Sequence, residues 1–386
     1  MKTARHYLAR EIYRSTAGCL FMLVALFLFF DMIENLDNLS KNFTFWNLLQ
    51  LQAISIPKRM FDMLPIALLI GAVISLASLV QRNEITILRV SGVSSSRFIV
   101  NLWLICIPLM IFAALLSEFI TPYAETKLAQ ARLRFLDKSS GSTLSTGFWF
   151  RENLDNELRI INVVKLQSDK DISQVRIINL DSNNGRIKEM LYAQEAHFTT
   201  DNDIELINPI INRNVTNLED YLAEGKDVSK QIAQFSTQPS LVVHTTLTPK
   251  RLQAGQLDPD RMSTRELLDY IDFLKSNNSQ YERQTIAIWR KLSYPFTLLV
   301  MITLAAPIAF IQSRKGGVGA KIFFGILLGL CFFMINQLSL NVGMLNNLPA
   351  WLTATLPNII ALIIAFTALF LIESKNKPKR RKYRHV

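Results

Sequence analysis

Six apolar windows constrain this chain more than any other feature. Each approaches the length of about 20 residues that a helix needs to cross a bilayer. They fall at about 17–36, 60–80, 98–120, 290–312, 322–342 and 350–372. A stretch of ordinary polarity, 121–285, separates the third from the fourth. The expected organisation is three spans, a large polar insertion and three more spans: a polytopic α-helical membrane protein. Half of the residues are apolar and the mean hydropathy lies above zero, as such a chain requires.

The start MKTARHYLAREIYR is long and basic, and no small-residue cleavage site closes a short apolar core. The first span therefore reads as an uncleaved anchor. Cys19, Cys106 and Cys331 all fall inside apolar windows and read as small buried apolar residues. The insertion has no cysteine, so it needs no disulfide in any compartment.

Lysine and arginine set the orientation. With the N-terminus in the cytoplasm, the short cytoplasmic segments hold Lys2, Arg5, Arg10 and Arg14, then Arg82, Arg89 and Arg97, then Arg314, Lys315 and Lys321. The tail SKNKPKRRKYRHV joins them. The insertion is slightly acidic, so the net charge of +11 belongs to one membrane face and is no sign of nucleic-acid binding. A basic tail beside a span suits anionic headgroups. Both termini are expected inside and the insertion outside, which in a bacterium is the periplasm.

Within the insertion, ELRIINVVKL (157–166), SQVRIINLD (173–181), GRIKEMLYAQEAHFTT (185–200) and DIELINPII (203–211) alternate apolar and polar. Period two of this kind predicts half-buried strands, and Asn184-Gly185 is a two-residue hairpin signal. A sandwich or jelly roll is expected. The pattern then changes to STRELLDYIDFLKS (263–276), with Ser263 and Glu266 at capping-box spacing and Leu267, Leu268, Ile271 and Leu274 on one face. The expected domains are 1–138, an N-terminal transmembrane half; 139–262, an all-β domain; and 263–386, a connecting helix and C-terminal transmembrane half.

Catalytic chemistry has little to stand on. His197 and His244 are the insertion's only histidines and have no cysteine partner. Within the insertion, GxSxG, HExxH and Ser-x-x-Lys are absent. SRKGGVGAK (313–321) misses the phosphate-loop spacing and has no Ser or Thr after its lysine. No cofactor or metal is expected, and any energy source lies elsewhere.

QRNEITILRVSGVSSSRF (81–98), between spans two and three, is cytoplasmic by the charge pattern. EITILRV can form two helical turns with Ile85 and Leu88 on one side, away from Glu84, Thr86 and Arg89, and Gly92 is a natural stop. Such a segment can lie on the membrane or dock into a partner. Taken alone, an ordinary linking loop is the simpler reading.

The stretch SIPKRMFDMLPIALLIGAVISLASLVQRNEITILRVSG (55–92) resembles the second span and turn of the LptF/LptG permeases of lipopolysaccharide export. The matching residues are Pro57-Lys58, Pro65, Gly71, Glu84 and Ser91-Gly92. Similarity continues through SEFITPYAE (117–125), LSTGFWFRE (144–152), LTPKRL (247–252), LDPDRMSTRELLDYIDFLK (257–275) and WRKLSYPFTLLVM (289–301). It covers essentially the whole chain, and LSTGFWF with the LDPD block looks more like the LptG than the LptF branch.

The resemblance implies a permease half without catalysis of its own, paired with an LptF-type homologue on a dimer of an LptB-type ATPase. Lipopolysaccharide would enter from the outer leaflet of the inner membrane. It would leave through periplasmic β-jellyroll domains to an LptC-type bitopic protein. Residues 82–92 would be the coupling helix, with Glu84 on the family's glutamate, Arg82 and Arg89 nearby, and Ile85, Leu88 and Gly92 shaping it.

Basic residues on the outer side, Lys41, Lys58, Arg59, Arg132 and Arg134, are candidates for lipid A phosphates; the resemblance supports Lys41, Lys58 and Arg132 most directly. Glu34 departs from the family, where a lysine can stand, and Asp31 and Asp37 lie beside it. Rearranged headgroup contacts, a bridging cation or a plain helix interface each fit these acids. Span one is rich in phenylalanine, Phe30 included, and is expected to form part of a cavity wall, whereas Asn336 in span five reads as interhelical glue.

Two rivals remain. The lipoprotein-release class places its outer domain after span one and has four spans. A membrane-anchored periplasmic ligand sensor or lipid-modifying enzyme would work without an ATPase.

Overall fold

In a computed structural model of the chain, the described residues are 2–36, 44–136, 147–154, 157–166, 170–181, 186–199, 203–213, 234–310, 318–345 and 348–376. The first helices are α1 (Lys2–Glu34), α2 (Phe45–Gln81), α3 (Glu84–Val90) and α4 (Ser95–Leu115). A π-helical turn (Leu116–Ile120) carries α4 into α5 (Thr121–Leu136). Eight strands follow: β1 (Phe148–Leu154), β2 (Glu157–Leu166), β3 (Asp171–Asp181), β4 (Ile187–Phe198), β5 (Asp203–Ile207), β6 (Ile210–Arg213), β7 (Gln234–Thr237) and β8 (Ser240–His244). The last helices are α6 (Pro249–Gln256), α7 (Thr264–Ser276), α8 (Glu282–Phe310), α9 (Val318–Leu345) and α10 (Ala350–Asn376).

The chain divides into two compact units. One comprises Met1–Leu39, Thr44–Leu128 and Glu282–Val386; the other comprises Ser40–Phe43 and Ala129–Tyr281. The second unit takes in α7, which the sequence expectation grouped with the C-terminal half.

Among the described residues of the helical unit, five helices are long and apolar enough to cross a membrane: Thr3–Glu34, Phe45–Gln81, Ser95–Leu128, Ile322–Leu345 and Ala350–Ile372. The fourth expected span is the 29-residue α8, which opens on Glu282, Arg283, Arg290 and Lys291 and is apolar only later. Helix α2 is apolar on all sides from Met63 to Leu79, so it must be surrounded. It is buried there almost without interruption, with α1, α8 and α9 packed on it. Gly71 allows the closest approach: a Cβ there would lie 2.6 Å from the main-chain N and Cα of Thr16 on α1. Cys106 is buried as expected, whereas Cys331 is exposed on α9. Its helix has only one side covered, so an apolar position on the other side stays open.

Two prolines sit inside α2. Pro65 carries no N–H and leaves the Phe61 carbonyl without its regular donor. The Tyr294 hydroxyl of α8 donates to that carbonyl at 2.5 Å, and the two rings stack at 4.0 Å.

The second unit holds one antiparallel sheet in which β1, β2, β3 and β4 are successive neighbours. Beyond β4, β5 and β6 share its free edge, and β8 and β7 pair with them in turn. Both pairs keep one continuous register, so β5–β6 and β7–β8 are two long strands, each broken at a proline. The breaks face each other: Asn208, at φ +47°, donates its N–H to the Pro239 carbonyl at 3.0 Å. The predicted strand 157–166 is found with the same bounds, and 203–211 is split at Asn208-Pro209. The inserted all-β domain is thus an antiparallel sheet. Its described strands follow one another as a meander. Asn184-Gly185 lies outside the described residues.

Inward-facing Phe150, Ile161, Ile177, Leu191 and Ile211 form one cross-strand row of this core. At one end the row gives way to charge. Fully buried Glu152 on β1 accepts on one oxygen from Thr245 Oγ1 (2.5 Å), Thr246 N (2.6 Å), Thr246 Oγ1 (2.8 Å) and Leu247 N (3.1 Å). Arg159 on β2 pairs with Glu152 at 4.0 Å and donates to the His244 carbonyl. The first two strands and the exit of the last are therefore fastened together, and the sheet curls into a roll closed at that end by side chains.

Helix α7 starts with the expected capping box, Glu266 N to Ser263 Oγ at 3.2 Å and Ser263 N to Glu266 Oε2 at 2.9 Å. Its buried residues are Leu267, Tyr270, Ile271, Phe273 and Leu274; Leu268, expected on that face, is exposed because it lies a full 100° round from Leu267.

Candidate functional site

The turn between α2 and α4 is built by local rules. Asn83 takes φ +59°, a conformation asparagine tolerates, and reverses the chain into α3. Gly92 at φ +90° ends α3, and Val93 N donates back to the Leu88 carbonyl at 3.3 Å. Helix α3 carries apolar residues on two sides. Ile85, 2% exposed, and half-buried Leu88 pack into the core that contains Leu8 and Ile12 of α1. Ile87 and Val90, three residues apart, face outward at 62% and 84% exposure.

That assignment adds to the sequence reading, which counted Ile85 and Leu88 among the residues of the coupling segment. They anchor the helix; Ile87 and Val90 are the apolar pair left open. The signal was in the sequence, since a short helix with two apolar stripes can bury only one against its own chain. Glu84 is half-buried and accepts a long hydrogen bond from the Tyr7 hydroxyl of α1, 3.4 Å. Arg82 is exposed, and the side chain of Arg89 lies outside the described residues.

The second group of expected site residues is only partly described. Lys41 lies outside the described residues. Arg132 and Arg134 lie on the helical backbone of α5, their side chains not described. Lys58 and Asp62 pair one turn apart on α2 at 4.0 Å. Arg59 forms an ion pair with Asp31 that ties α2 to α1. Asp31 thus acts as an interface acid, while Glu34 is exposed one turn further along α1. Phe29 and Phe30 are exposed, their rings edge to face at 6.0 Å. Asn336 is half-buried on α9, next to an exposed Gln337.

The two histidines each face an aspartate across neighbouring strands, His197 with Asp171 at 2.6 Å and His244 with Asp203 at 2.5 Å. Among the described residues no three His, Cys, Asp or Glu are grouped to hold a metal.

Comparison with known proteins joins these features. The family model described as "Lipopolysaccharide export system permease LptF/LptG" matches residues 6–371. The LptG protein of Haemophilus influenzae is 24% identical over 370 residues, 96% of this chain and 98% of its own length. The LptG protein of Escherichia coli K12 is 25% identical over 91% of this chain and 93% of its own. Escherichia coli LptF is 22% identical over 85% and 84%.

Proposed function

Because the chain belongs to the LptF/LptG family of lipopolysaccharide export system permeases, we propose that it works as the LptG-like half of a two-permease complex driven by a separate ATPase. In this reading it is paired with an LptF-type chain, seated on an LptB-type dimer, and hands lipopolysaccharide to an LptC-type protein. Its termini and α3 lie in the cytoplasm of a Gram-negative cell, and its β unit lies in the periplasm.

The observation that carries the reading is α3. A seven-residue helix between two spans keeps Ile87 and Val90 in the open, beside a carboxylate, while its other side is rooted in the bundle. An apolar pair with an adjacent charge suits a groove that supplies a pocket and a cation, the charge fixing register. On the other face of the membrane, Lys58 would meet phosphates, while Arg59 is already engaged by Asp31. Exposed Phe29 and Phe30 would line the acyl path.

Purification in mild detergent, with mass spectrometry of what accompanies the chain, tests the reading. An ATPase, a second six-span homologue and lipopolysaccharide are expected. Recovery of the chain alone, under conditions that keep other membrane complexes whole, would contradict it.

A further inference from the structure

We propose that the first turns of α1 form the second half of the coupling element, with Tyr7 as the positioning residue for Glu84. The inference rests on the ATPase-driven reading above. Three observations converge on this end of α1. Leu8 and Ile12 of α1 and Ile85 of α3 are buried in one common core, so the two helices share an apolar interior. The Tyr7 hydroxyl donates to Glu84 Oε1 and leaves the other carboxylate oxygen to a cation of the partner. Two turns along, the Tyr13 hydroxyl donates to the Ile105 carbonyl of α4 at 2.6 Å, in the turn before Pro108. One helix therefore grips α3 with one tyrosine and α4 with the other.

The consequence is mechanical. A push on α3 reaches α1 through Tyr7 and the apolar core that Leu8, Ile12 and Ile85 share, in addition to the covalent route through α2 and α4. Since α1 continues to Phe29, Phe30 and Asp31 at its far end, it can carry the displacement to the residues proposed to meet lipid.

A double-mutant cycle of Tyr7→Phe and Glu84→Gln, read by affinity for the purified ATPase subunit and by lipopolysaccharide-stimulated ATP hydrolysis, tests this. Tyr7 is exposed at the surface, so Tyr7→Phe leaves folding intact, checked by an unchanged melting temperature. Tyr7→Phe is expected to weaken docking about threefold to tenfold and to lower stimulation in a wild-type Glu84 background. It should have little further effect once Glu84 is Gln. Independent, additive effects, or no effect of Tyr7→Phe, would overturn the role of Tyr7. If Glu84→Gln and Val90→Asp also leave docking untouched, the coupling reading itself fails, which is a different result.

Discussion

The Tyr294 hydroxyl occupies the place of a missing backbone donor: it lies 2.5 Å from the Phe61 carbonyl, four residues before Pro65. A proline inside a membrane helix strands one carbonyl where no water can satisfy it. Here α8 supplies the donor and stacks its ring on Phe61. Pro65 and Tyr294, far apart in sequence, are thus two halves of one device.

Tyr294→Phe should therefore cost more than the removal of an ordinary hydroxyl, about 1–2 kcal/mol, at the upper end for helices in membranes. Pro65→Ala restores an N–H to the Phe61 carbonyl, so the same tyrosine change in that background should cost markedly less. Thermal unfolding in detergent, read by accessibility of buried Cys106, measures both. Equal costs in the two backgrounds would show that the hydroxyl serves something else.

Gly71→Ala should force α1 and α2 apart, at a cost of about 1–3 kcal/mol. Trimming Thr16 to Ala should not rescue it, because two of the three atoms in the way are main chain. Rescue by Thr16→Ala in a melting experiment would contradict this geometry.

Glu152→Ala removes the acceptor of four hydrogen bonds and leaves Arg159 without its carboxylate. Loss of one member of a buried pair costs about 3–5 kcal/mol. Amide exchange should rise first at 244–247, where the clasp lets go. Unchanged protection there would mean that the roll is held shut by something other than Glu152.

On α3, Ile85→Ala and Val90→Asp should separate stability from docking. Ile85 is buried, so truncation should lower stability by about 2–5 kcal/mol. Val90 is open, so Val90→Asp should leave the melting temperature alone and abolish binding of the ATPase. The reverse pattern would mean that the two stripes of α3 are exchanged in the assembled complex.

Much of this architecture is legible in the sequence because its causes are local. Apolar runs of bilayer length are found as helices, alternation is found as strands, and Ser263 with Glu266 is found as a capping box. What escapes is set by contacts between distant segments. The breaks at Asn208-Pro209 and Gln238-Pro239 have meaning only once they face each other. The role of Asp31 as an interface acid needed Arg59 beside it. The division of α3 into a buried and an open stripe could be expected, but which stripe is buried depends on Leu8 and Ile12 of α1. The expectation of a β domain followed from strand number; the order of its strands follows from pairing, which no short pattern carries.

The most direct test of the account is release of lipopolysaccharide from proteoliposomes that hold this chain with its permease partner and the ATPase, comparing wild type with Val90→Asp. The account predicts ATP-dependent release for wild type and loss of both release and stimulated hydrolysis in Val90→Asp, with the permease pair still assembled. Undiminished release by Val90→Asp, at full assembly, would contradict the claim that α3 is where the ATPase takes hold.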